Sequence, residues 1–391
     1  MKSTRKRLVL IGGGHVHLSV LQALIKQCLD IDVIMITPST YQTYSGMLPG
    51  WMAGHYSMSE CHIDLYSLVE AANVELILDR VTEINADLQY VKLSNNTQLE
   101  YDFLSVDVGS ETNRSWVGAL GKRLLPIRPL NEFTKRWQEI VADIRKKSNF
   151  NLIVVGAGAA GVEIALTAKY VFEQQGFTAN VALVASKRGI LPGHGVGVKK
   201  KVRDLLKRRG IILFEAEAVG TESGVLLDNN QHLYADIVIA ATGSTSPYWL
   251  RTSHLALDKQ GFISVDATHQ SISHPNVFAA GDVCTRIDLT MDRSGVHAVF
   301  AGPVVAHNLI SKITGGKLIR YYPRKYSLYL MSTGPKYAIA SWGPLTVEGN
   351  WIWRWKSLID QKFINKFSTK QIKYIKTDVS NSLVKQSQEY T

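Results

Sequence analysis

The sequence predicts an α/β protein made of two Rossmann-like dinucleotide-binding domains and a C-terminal α+β module. Three observations predict this fold. The order strand, glycine-rich turn, helix and strand occurs twice, which is the order of a dinucleotide-binding fold. Short apolar strand-like runs fill the segment between the two copies. From about Tyr321 the composition becomes aromatic and basic, which indicates a separate module.

The first copy starts with the apolar run 7–11, a helical pattern and strand 33–36, and its turn reads Gly12, Gly13, Gly14, His15, Val16, His17. Glycines permit a tight turn, and the helix N-terminus attracts a pyrophosphate. His17 stands where a small residue normally lets helix and strand pack closely. Thr37, or alternatively Ser39, stands where an acidic residue often binds the adenosine ribose, and a hydroxyl can also form that hydrogen bond.

The second copy satisfies the glycine pattern in full. Gly156, Gly158 and Gly161 lie between strand 151–155 and a helical pattern, and strand 181–184 follows. This context predicts a nucleotide-binding turn, and the alternative is a purely structural tight turn.

The end of strand 181–184 bears on the choice between NADH and NADPH. A carboxylate there would bind the 2′-hydroxyl of NAD and repel a 2′-phosphate. Here the residues that follow the strand include no acid and two cations: Ser186, Lys187 and Arg188. The sequence therefore favours NADPH over NADH, and a solvated basic turn is the alternative.

Composition limits the compartment and the partners. The chain has 391 residues, of which 46% are hydrophobic and 20% charged, and this length suits two or three domains. Run 8–11 is too short for a secretory signal, and no apolar stretch reaches the roughly 18 residues of a spanning helix. Cys28, Cys61 and Cys284 form no C-x-x-C or metal-type cluster, so we expect no metal site. A cytoplasmic protein is expected, with peripheral contact at the inner face of the cell membrane as a further option.

The formal net charge of +11 suits nucleic acid, anionic lipid or anionic cofactors, and also an ordinary solvated basic surface. The sequence contains no helix-turn-helix pattern and no aromatic RNA-binding signature. We therefore expect no nucleic-acid partner.

Two further motifs connect the chain to a known group. Strand 277–280 ends in Gly281-Asp282 just before a long helical pattern, which resembles the second FAD fingerprint of glutathione-reductase-type flavoproteins. Thr242-Gly243 resembles the turn that joins their two nucleotide domains. The resemblance covers roughly residues 8–310 and implies a fold of two glutathione-reductase-type domains. In that group the Asp accepts a hydrogen bond from the ribityl chain of FAD.

Within this group, the chain lacks the cysteine pair of the disulfide reductases and has the sequence YSGMLPG at 44–50 instead. Sulfide:quinone oxidoreductases use cysteines beside the flavin, but the three cysteines here are expected to be packing thiols. The chain resembles the type II NADH dehydrogenase-like flavoproteins, closest to the branch found fused to selenide, water dikinase. That branch shares the motif at 12–17, YSGMLPG, and the AGHY and CHIDL segments at 53–56 and 61–65. No dikinase domain is expected in this sequence, and a link to selenium metabolism is left open.

The motifs and the resemblance together assign the site residues. The predicted FAD contacts are Gly12, Gly13, Gly14, His15, Thr37, Ser45, Pro49, Val81, Gly109, Gly281 and Asp282. The predicted NAD(P)H contacts are Gly156, Gly158, Gly161, Ser186, Lys187, Arg188, Thr242 and Gly243. The resemblance makes Glu163 the catalytic, NADH-handling carboxylate, although a helix-surface carboxylate is the alternative. The predicted domains are FAD-binding at 1–125 and 255–320, NAD(P)H-binding at 126–254, and C-terminal at 321–391.

The predicted reaction moves hydride from NAD(P)H to FAD and then electrons to a small-molecule acceptor. The cofactors supply the chemistry, so no acid–base triad is required. The segment that borders the quinone site in type II dehydrogenases has Ala301 here in place of a Gln, which leaves the acceptor open. The rival hypothesis is a redox-slow FAD-binding interaction or signalling protein that uses its basic C-terminus.

Segment 351–367 predicts an amphipathic helix. Its large apolar residues recur at i, i+4 steps: Trp351, Trp355, Ile359, Phe363 and Phe367. Flanking lysines and an arginine suit an anionic membrane surface. Docking onto the chain's own core or onto a homodimer partner would produce the same pattern.

Overall fold

The computed structural model describes residues 5–27, 29–144, 149–291, 293–375 and 377. The helices are α1 His15–Lys26, α2 Leu48–Met52, α3 Leu65–Ala71, α4 Leu130–Ile144, α5 Ala159–Gln174, α6 Val196–Arg208, α7 Gly295–Thr314 and α8 Asn350–Asn365. The strands are β1 Arg7–Ile11, β2 Asp32–Thr37, β3 Tyr41–Thr43, β4 His62–Asp64, β5 Glu75–Leu78, β6 Val81–Asn85, β7 Tyr90–Leu93, β8 Gln98–Glu100, β9 Phe103–Val106, β10 Glu111–Thr112, β11 Leu124–Pro126, β12 Phe150–Val155, β13 Ala179–Ala185, β14 Ile212–Glu215, β15 Ala218–Thr221, β16 Gly224–Leu227, β17 His232–Tyr234, β18 Ile237–Ala240, β19 Ser244–Thr245, β20 Ile263–Val265, β21 Val277–Ala279, β22 Cys284–Arg286, β23 Leu328–Ser332, β24 Ala338–Trp342 and β25 Leu345–Gly349.

The first nucleotide-type unit is a parallel five-stranded sheet in the order β21-β9-β1-β2-β5. Residues 8–11 of β1 are buried, as expected for a strand covered on both faces. Helices α1 and α7 pack together on one face, and the antiparallel sheet β6-β7-β8 contributes to the core on the other. Strand β21 lies far from the other four strands in the sequence, so this sheet is built from two separate segments of the chain.

The second unit repeats the plan with the parallel sheet β11-β18-β12-β13-β14. Strand β12 pairs with β13 in register from Phe150↔Ala179 to Val155↔Val184, and α5 crosses between them. A small antiparallel sheet, β15-β16-β17, completes it. Both units therefore have the strand, turn, helix and strand order that the sequence predicted, which confirms the α/β fold.

The C-terminal module is the antiparallel sheet β23-β24-β25 with α8 packed against it. Ile352 of α8 is fully buried against Ala338 and Ala340 of β24. The predicted α+β character of this module is confirmed. Within the described ranges, no helix is long and apolar enough to cross a membrane.

The sequence predicts the apolar run 76–84 as one short strand, and here the structure differs. Run 76–84 forms two strands, because the chain turns at Asp79, whose carboxylate accepts the N–H of Arg80, and β6 then leaves the parallel sheet to pair with β7. The sequence also predicts a helix over 131–147, and the structure describes it up to Ile144. Residues 145–148 and Cys28 lie outside the described residues. Strand β11 crosses the predicted boundary at 125, because it pairs with β18 of the second sheet, and the predicted domain boundaries remain a prediction.

Candidate functional site

The first glycine turn connects β1 to α1. Gly12 has a φ of +94°, and a Cβ there would lie 2.4 Å from the backbone oxygen of Asp107, so only glycine suits this position. Gly14 is the N-cap of α1, and the first turn of the helix contains no acidic residue. Helix N-termini favour anions such as a pyrophosphate, and here the carboxylate of Asp107 already accepts two N–H groups of the first turn.

His17 takes the third position of the turn by forming hydrogen bonds instead of by being small. Its Nδ1 lies 2.6 Å from the carbonyl oxygen of Gly12, and its Nε2 lies 2.9 Å from Oγ of Ser105. The ring is fully buried, and this burial lowers the pKa of His17 to about 4. In the second copy, helix and strand pack so closely that a Cβ on Gly161 would lie 1.8 Å from the oxygen of Gly156. In the first copy, a neutral imidazole fills the corresponding space.

Asp107, which the sequence interpretation missed, brings the two flavin fingerprints together. Its carboxylate accepts the N–H groups of Val16 and His17 at 2.8 and 3.1 Å. A Cβ on Gly14 would meet this carboxylate at 2.3 Å, and one on Gly281 would meet it at 2.8 Å. Burial raises the pKa of Asp107 to about 6. The only sequence signal was an acid directly after the buried strand β9.

Asp282 lies at the carboxyl end of β21 with its carboxylate paired to Arg128, at an Oδ2 to Nη2 distance of 2.9 Å. The same guanidinium donates to Ser110 at 2.5 Å. Arg128 lies between β11 of the second sheet and α4, so the ion pair connects the two units at the second fingerprint. The sequence interpretation identified Asp282 and missed Arg128.

Other predicted flavin residues surround the first turn. Thr37 is buried at the end of β2, with its hydroxyl 3.5 Å from the position of a Cβ on Gly13. Val81 begins β6, and Gly109 has a φ of +72° just after β9. These residues lie at or just beyond the carboxyl ends of β2, β5 and β9, the edge at which parallel α/β sheets bind ligands.

The second glycine turn connects β12 to α5. Gly156 has a φ of +108°, and a Cβ there would lie 2.3 Å from the oxygen of Ala241. No atom of the described chain lies within 4 Å of a Cβ on Gly158, so the middle of the turn faces open space. The first turn of α5 contains no acidic residue. An open turn at an uncapped helix N-terminus suits the close approach of a dinucleotide phosphate.

Block 44–50 lies between the two turns. The ring of Tyr44 is 5.7 Å from that of His15 in the first turn. Helix α2, which contains Pro49, packs on α5 of the second turn. Ser45 is exposed. The structure therefore places this block beside both glycine turns.

Glu163 lies on α5 directly after the second turn, and its Oε1 accepts the N–H of Ser332 in β23 at 2.7 Å. Burial raises the pKa of Glu163 to about 7, and the charge of Lys356 opposes this rise. The Glu163 carboxylate is therefore not a freely solvated group on the helix surface. It contacts the C-terminal module and lies within the electrostatic reach of α8.

Lys356 on α8 is the second residue that the sequence interpretation missed. Its Nζ donates to the carbonyl oxygen of Gly46 at 2.5 Å and to Asp360 at 2.6 Å. Lys356 and Asp360 are only 7% and 4% exposed. The hydroxyl of Tyr44 also bonds to Asp360, and burial together with this carboxylate raises the pKa of Tyr44. Lys356, Asp360, Glu163 and Tyr44, which we call the α8 charge cluster, thus join three parts of the chain.

The turn after β13 is exposed, with Ser186 Oγ accepting the N–H of Arg188 at 3.4 Å. Lys187 pairs with Asp228 at 2.8 Å, and its N–H donates to Glu217 at 3.4 Å. The basic character that the sequence showed at this strand end is therefore partly balanced by acids from later segments.

Thr242 and Gly243 lie where the two units meet. Thr242 donates to the oxygen of Asn113 at 2.8 Å, and the N–H of Asn113 donates to the oxygen of Gly243. The short strands β10 and β19 pair beside them. These contacts connect the units, which agrees with the role that the sequence interpretation inferred.

Neither described cysteine has the environment of a reactive thiol. Burial raises the pKa of both Cys61 and Cys284 to about 12, so both stay protonated at neutral pH. The Cys284 thiol donates to the oxygen of Gly281 at 3.6 Å. The residues with assigned positions contain no group of three or more His, Cys, Asp or Glu side chains that suits a metal ion.

Comparisons with known proteins agree with this geometry. A family model described as pyridine nucleotide-disulphide oxidoreductase matches residues 3–295. An NADH oxidase from Lactococcus lactis is 28% identical over 80% of this chain and 71% of its own length. The sulfide:quinone oxidoreductase of Aquifex aeolicus has a similar fold, with a TM-score of 0.79 and 18% identity over 93% of this chain and 91% of that chain. NDH2 from Plasmodium falciparum, solved with NADH, has a TM-score of 0.76 and 14% identity over 93% and 98% of the two chains.

Proposed function

The chain belongs to the pyridine nucleotide-disulphide oxidoreductase family, and from this membership we propose that it oxidises NAD(P)H through bound FAD and passes the electrons to a further acceptor. The enzyme is a flavin-dependent oxidoreductase of the NADH dehydrogenase and NADH oxidase type. When bound, FAD supplies the ring that takes hydride from a nicotinamide and releases electrons. The protein supplies binding, orientation and electrostatics.

One observation carries the proposal: the α8 charge cluster lies between the two glycine turns. Glu163 follows the second turn, and Lys356 contacts the Gly46 carbonyl of block 44–50, which lies beside His15 of the first turn. A nucleotide on each turn would therefore extend toward the same charged region. This convergence is what hydride transfer between two dinucleotides requires.

The residues of the two turns fit their cofactors in different ways. Gly12 and Gly281 have positive φ values and both lie against Asp107, and Asp282, whose Oδ2 pairs with Arg128, would receive the ribityl chain. Gly158 leaves its turn open for the nicotinamide nucleotide. Thr37, Val81 and Gly109 would contact the adenosine half of FAD from the strand ends.

The α8 charge cluster has the chemistry to hold charge and protons near the reacting rings. The positive charge of Lys356, anchored by Asp360, stabilises negative charge that develops nearby during reduction. Glu163, with a pKa of about 7, holds or releases a proton at neutral pH. The second electron acceptor, a quinone or another small molecule, is left to an acceptor screen.

Mixing the purified yellow protein with NADH or NADPH without oxygen tests the proposal. The flavin absorbance near roughly 450 nm should bleach rapidly with one or both nucleotides. A spectrum that neither nucleotide changes would refute the enzyme and support the rival FAD-binding interaction protein. Screening acceptors for reoxidation of the bleached protein would then identify the acceptor class.

Support for NADPH is the exposed Arg188, whose planar fork suits a 2′-phosphate. Asp228 and Glu217 engage Lys187, so Arg188 supplies most of the remaining positive charge at this strand end. We therefore place the preference for NADPH on Arg188 rather than on the pair of cations.

The exposed face of α8 supports a peripheral membrane contact. Trp351, Trp355 and Leu358 are 59%, 40% and 66% exposed, and Trp342 and Leu345 extend the patch onto the adjacent sheet at 54% and 61%. The opposite face docks on the chain's own core through Ile352, which is another of the predicted alternatives, and only the exposed face is free to meet a membrane. Phe367, by contrast, is buried against the first unit and is not part of the exposed face.

A further inference from the structure

Strand β25 forms one edge of the antiparallel sheet β23-β24-β25 in the C-terminal module. A two-residue turn joins it to β24, so the closing pair Trp342↔Leu345 is hydrogen-bonded and every second residue of β25 after Leu345 bonds inward. The N–H and C=O groups of Thr346 and Glu348 therefore point outward. No described residue donates a hydrogen bond to these outward groups or accepts one from them. The outer edge of β25 is thus open to another strand.

The open edge lacks the features that normally protect such strands, which are charges, prolines and bulges. Strand β25 contains no proline and pairs with β24 without a shift of register. Its one charged side chain, Glu348, already pairs with Lys201 of α6 at 2.8 Å. Leu345 and Val347 are 61% and 44% exposed. An edge of this kind suits the addition of a strand from another chain.

The two faces of β25 differ in character. Val347 lies opposite Ala340, which packs under α8, so Val347 and Leu345 share the α8 face of the sheet. Thr346 and Glu348 have the opposite face, which contacts α6. A strand that pairs with this edge therefore needs apolar residues on one face and hydrogen-bonding residues on the other.

A second copy of β25 meets these needs in one register. In an antiparallel pair centred on Val347, Thr346 lies opposite Glu348 of the partner subunit, so the outward groups of both strands bond to each other. The hydroxyl of Thr346 can also donate to the carboxylate of that Glu348. A pair centred on Glu348 would place two like charges opposite each other, which is unfavourable. A pair centred on Thr346 would place Glu348 opposite Pro344 of the partner subunit, which has no N–H to donate.

The same register also closes the apolar face. Val347 lies opposite Val347 of the partner subunit in a non-hydrogen-bonded pair, the kind in which side chains approach most closely. Leu345 lies opposite the partner's Gly349, which has no side chain to obstruct it. The ring of Trp351 lies against Gly349 and is 59% exposed, so it offers Leu345 an apolar surface. Apolar burial therefore adds to the backbone hydrogen bonds.

We propose that β25 pairs antiparallel with β25 of a second copy, so that two C-terminal modules form one six-stranded sheet in a homodimer. The contact is self-complementary, as a twofold interface requires. The twofold axis of such a pair is perpendicular to the sheet, so both α8 helices lie on the same face. The pairing uses Leu345 and Val347 and leaves Trp355 and Leu358 to the membrane contact. It depends neither on that contact nor on the redox reaction.

Sedimentation velocity of the FAD-loaded full chain, without lipid or detergent, tests the proposal. The wild type should sediment as a dimer that dissociates on dilution. Val347→Lys should weaken the dimer about tenfold, because it places two positive charges opposite each other at the centre of the pair. Val219→Lys is the matched control, because Val219 is also an exposed valine, at 56%, on an edge strand of the small sheet β15-β16-β17. This control should dimerise like the wild type.

Two results of this experiment would overturn the proposal. One is a wild type that stays monomeric at every concentration, including one that gathers only on anionic liposomes, which would assign the exposed face to the membrane alone. The other is a Val347→Lys variant that dimerises as tightly as Val219→Lys. Flavin absorbance and melting temperature check that each variant is folded.

Single cysteines test the register. Val347→Cys should form an intermolecular disulfide on mild oxidation, because the Cα atoms of a non-hydrogen-bonded pair are roughly 4.5 Å apart, within the range that a disulfide spans. Leu345→Cys should not, because the two copies of this residue lie four positions apart along the paired strands. The wild type measures the background from its own cysteines. No disulfide at Val347→Cys, or equal cross-linking at both positions, would refute the pairing, and this comparison decides if Val347→Lys does not fold.

Discussion

Replacing Glu163 by Gln should make the protein more stable above pH 7 and leave its stability unchanged near pH 4. Burial raises the pKa of Glu163 from 4.5 to about 7 in the folded protein. A carboxyl with a raised folded-state pKa contributes its full stability below the unfolded value and loses it as the pH rises through the folded value. The wild type therefore loses stability between about pH 4.5 and pH 7, and the Gln variant, which stays neutral, does not.

The size of the effect follows from the two pKa values. The difference between 4.5 and about 7 corresponds to about 3 kcal/mol at 1.36 kcal/mol per pH unit. The charge of Lys356 and the N–H of Ser332 are already included, because both act on the carboxylate in the folded protein. We therefore expect the variant to exceed the wild type by up to about 3 kcal/mol at pH 8.

Thermal unfolding of both proteins across pH 4 to 8, without nicotinamide nucleotide, measures the difference. Glu70→Gln is the control, because Glu70 is an exposed carboxylate on α3. The melting temperatures of Glu163→Gln and the wild type should coincide near pH 4 and separate toward pH 8, with the variant higher. A wild type that is equally or more stable at pH 8 would refute the buried, raised-pKa description of Glu163.

Four further outcomes follow from the geometry. Gly158→Ala should melt like the wild type but raise the KM for the nicotinamide nucleotide about tenfold. Gly161→Ala should lower the melting temperature, because its Cβ would lie 1.8 Å from a backbone oxygen. Equal KM values for Gly158→Ala and the wild type would contradict the open turn. Lys356→Met should shift the pH midpoint of flavin reduction upward, since it removes the positive charge that lowers the pKa of Glu163; an unchanged pH profile would argue against their coupling. Arg188→Ala should raise the KM for NADPH about tenfold and leave the KM for NADH nearly unchanged in steady-state kinetics. An equal rise for both nucleotides would refute the contact between Arg188 and the 2′-phosphate. Trp355→Ser should reduce sedimentation with anionic liposomes and leave flavin reduction unchanged; a variant that sediments like the wild type would count against the membrane face.

The strand, glycine turn, helix and strand at the centre of the second nucleotide unit were predictable from sequence. Gly156, Gly158 and Gly161 have their roles fixed by neighbours within the same strand, turn and helix, so a local pattern carries the information. The parallel pairing of β12 with β13 belongs to the same local pattern, because α5 joins these two consecutive strands. The exposure of Trp351 and the burial of Phe367 were not separable, because α8 ends at Asn365 and Phe367 packs against the first unit beyond the end of the helix.

In the first unit, local sequence patterns did not predict the contacts that complete the glycine turn. His17 looks like a defect when only the turn is considered, since its compensation depends on Ser105 in a strand that is distant in the chain. Asp107 carries no motif, and its role exists only because β9 ends beneath α1 and beside β21. The role of Arg128 likewise depends on its ion pair with Asp282, which is distant in the sequence.

By itself, the sequence determined that this protein has two dinucleotide-type turns, a second flavin fingerprint and no dithiol. These features are short segments in which glycine conformation, helix N-termini and strand ends are set by adjacent residues. Only the tertiary structure decided that α8 carries Lys356 and Asp360 into the region between the turns, and that Asp107 holds Gly14 and Gly281 together. Such contacts join residues far apart in the chain, and burial at the junction shifts their pKa values, so no local pattern contains them.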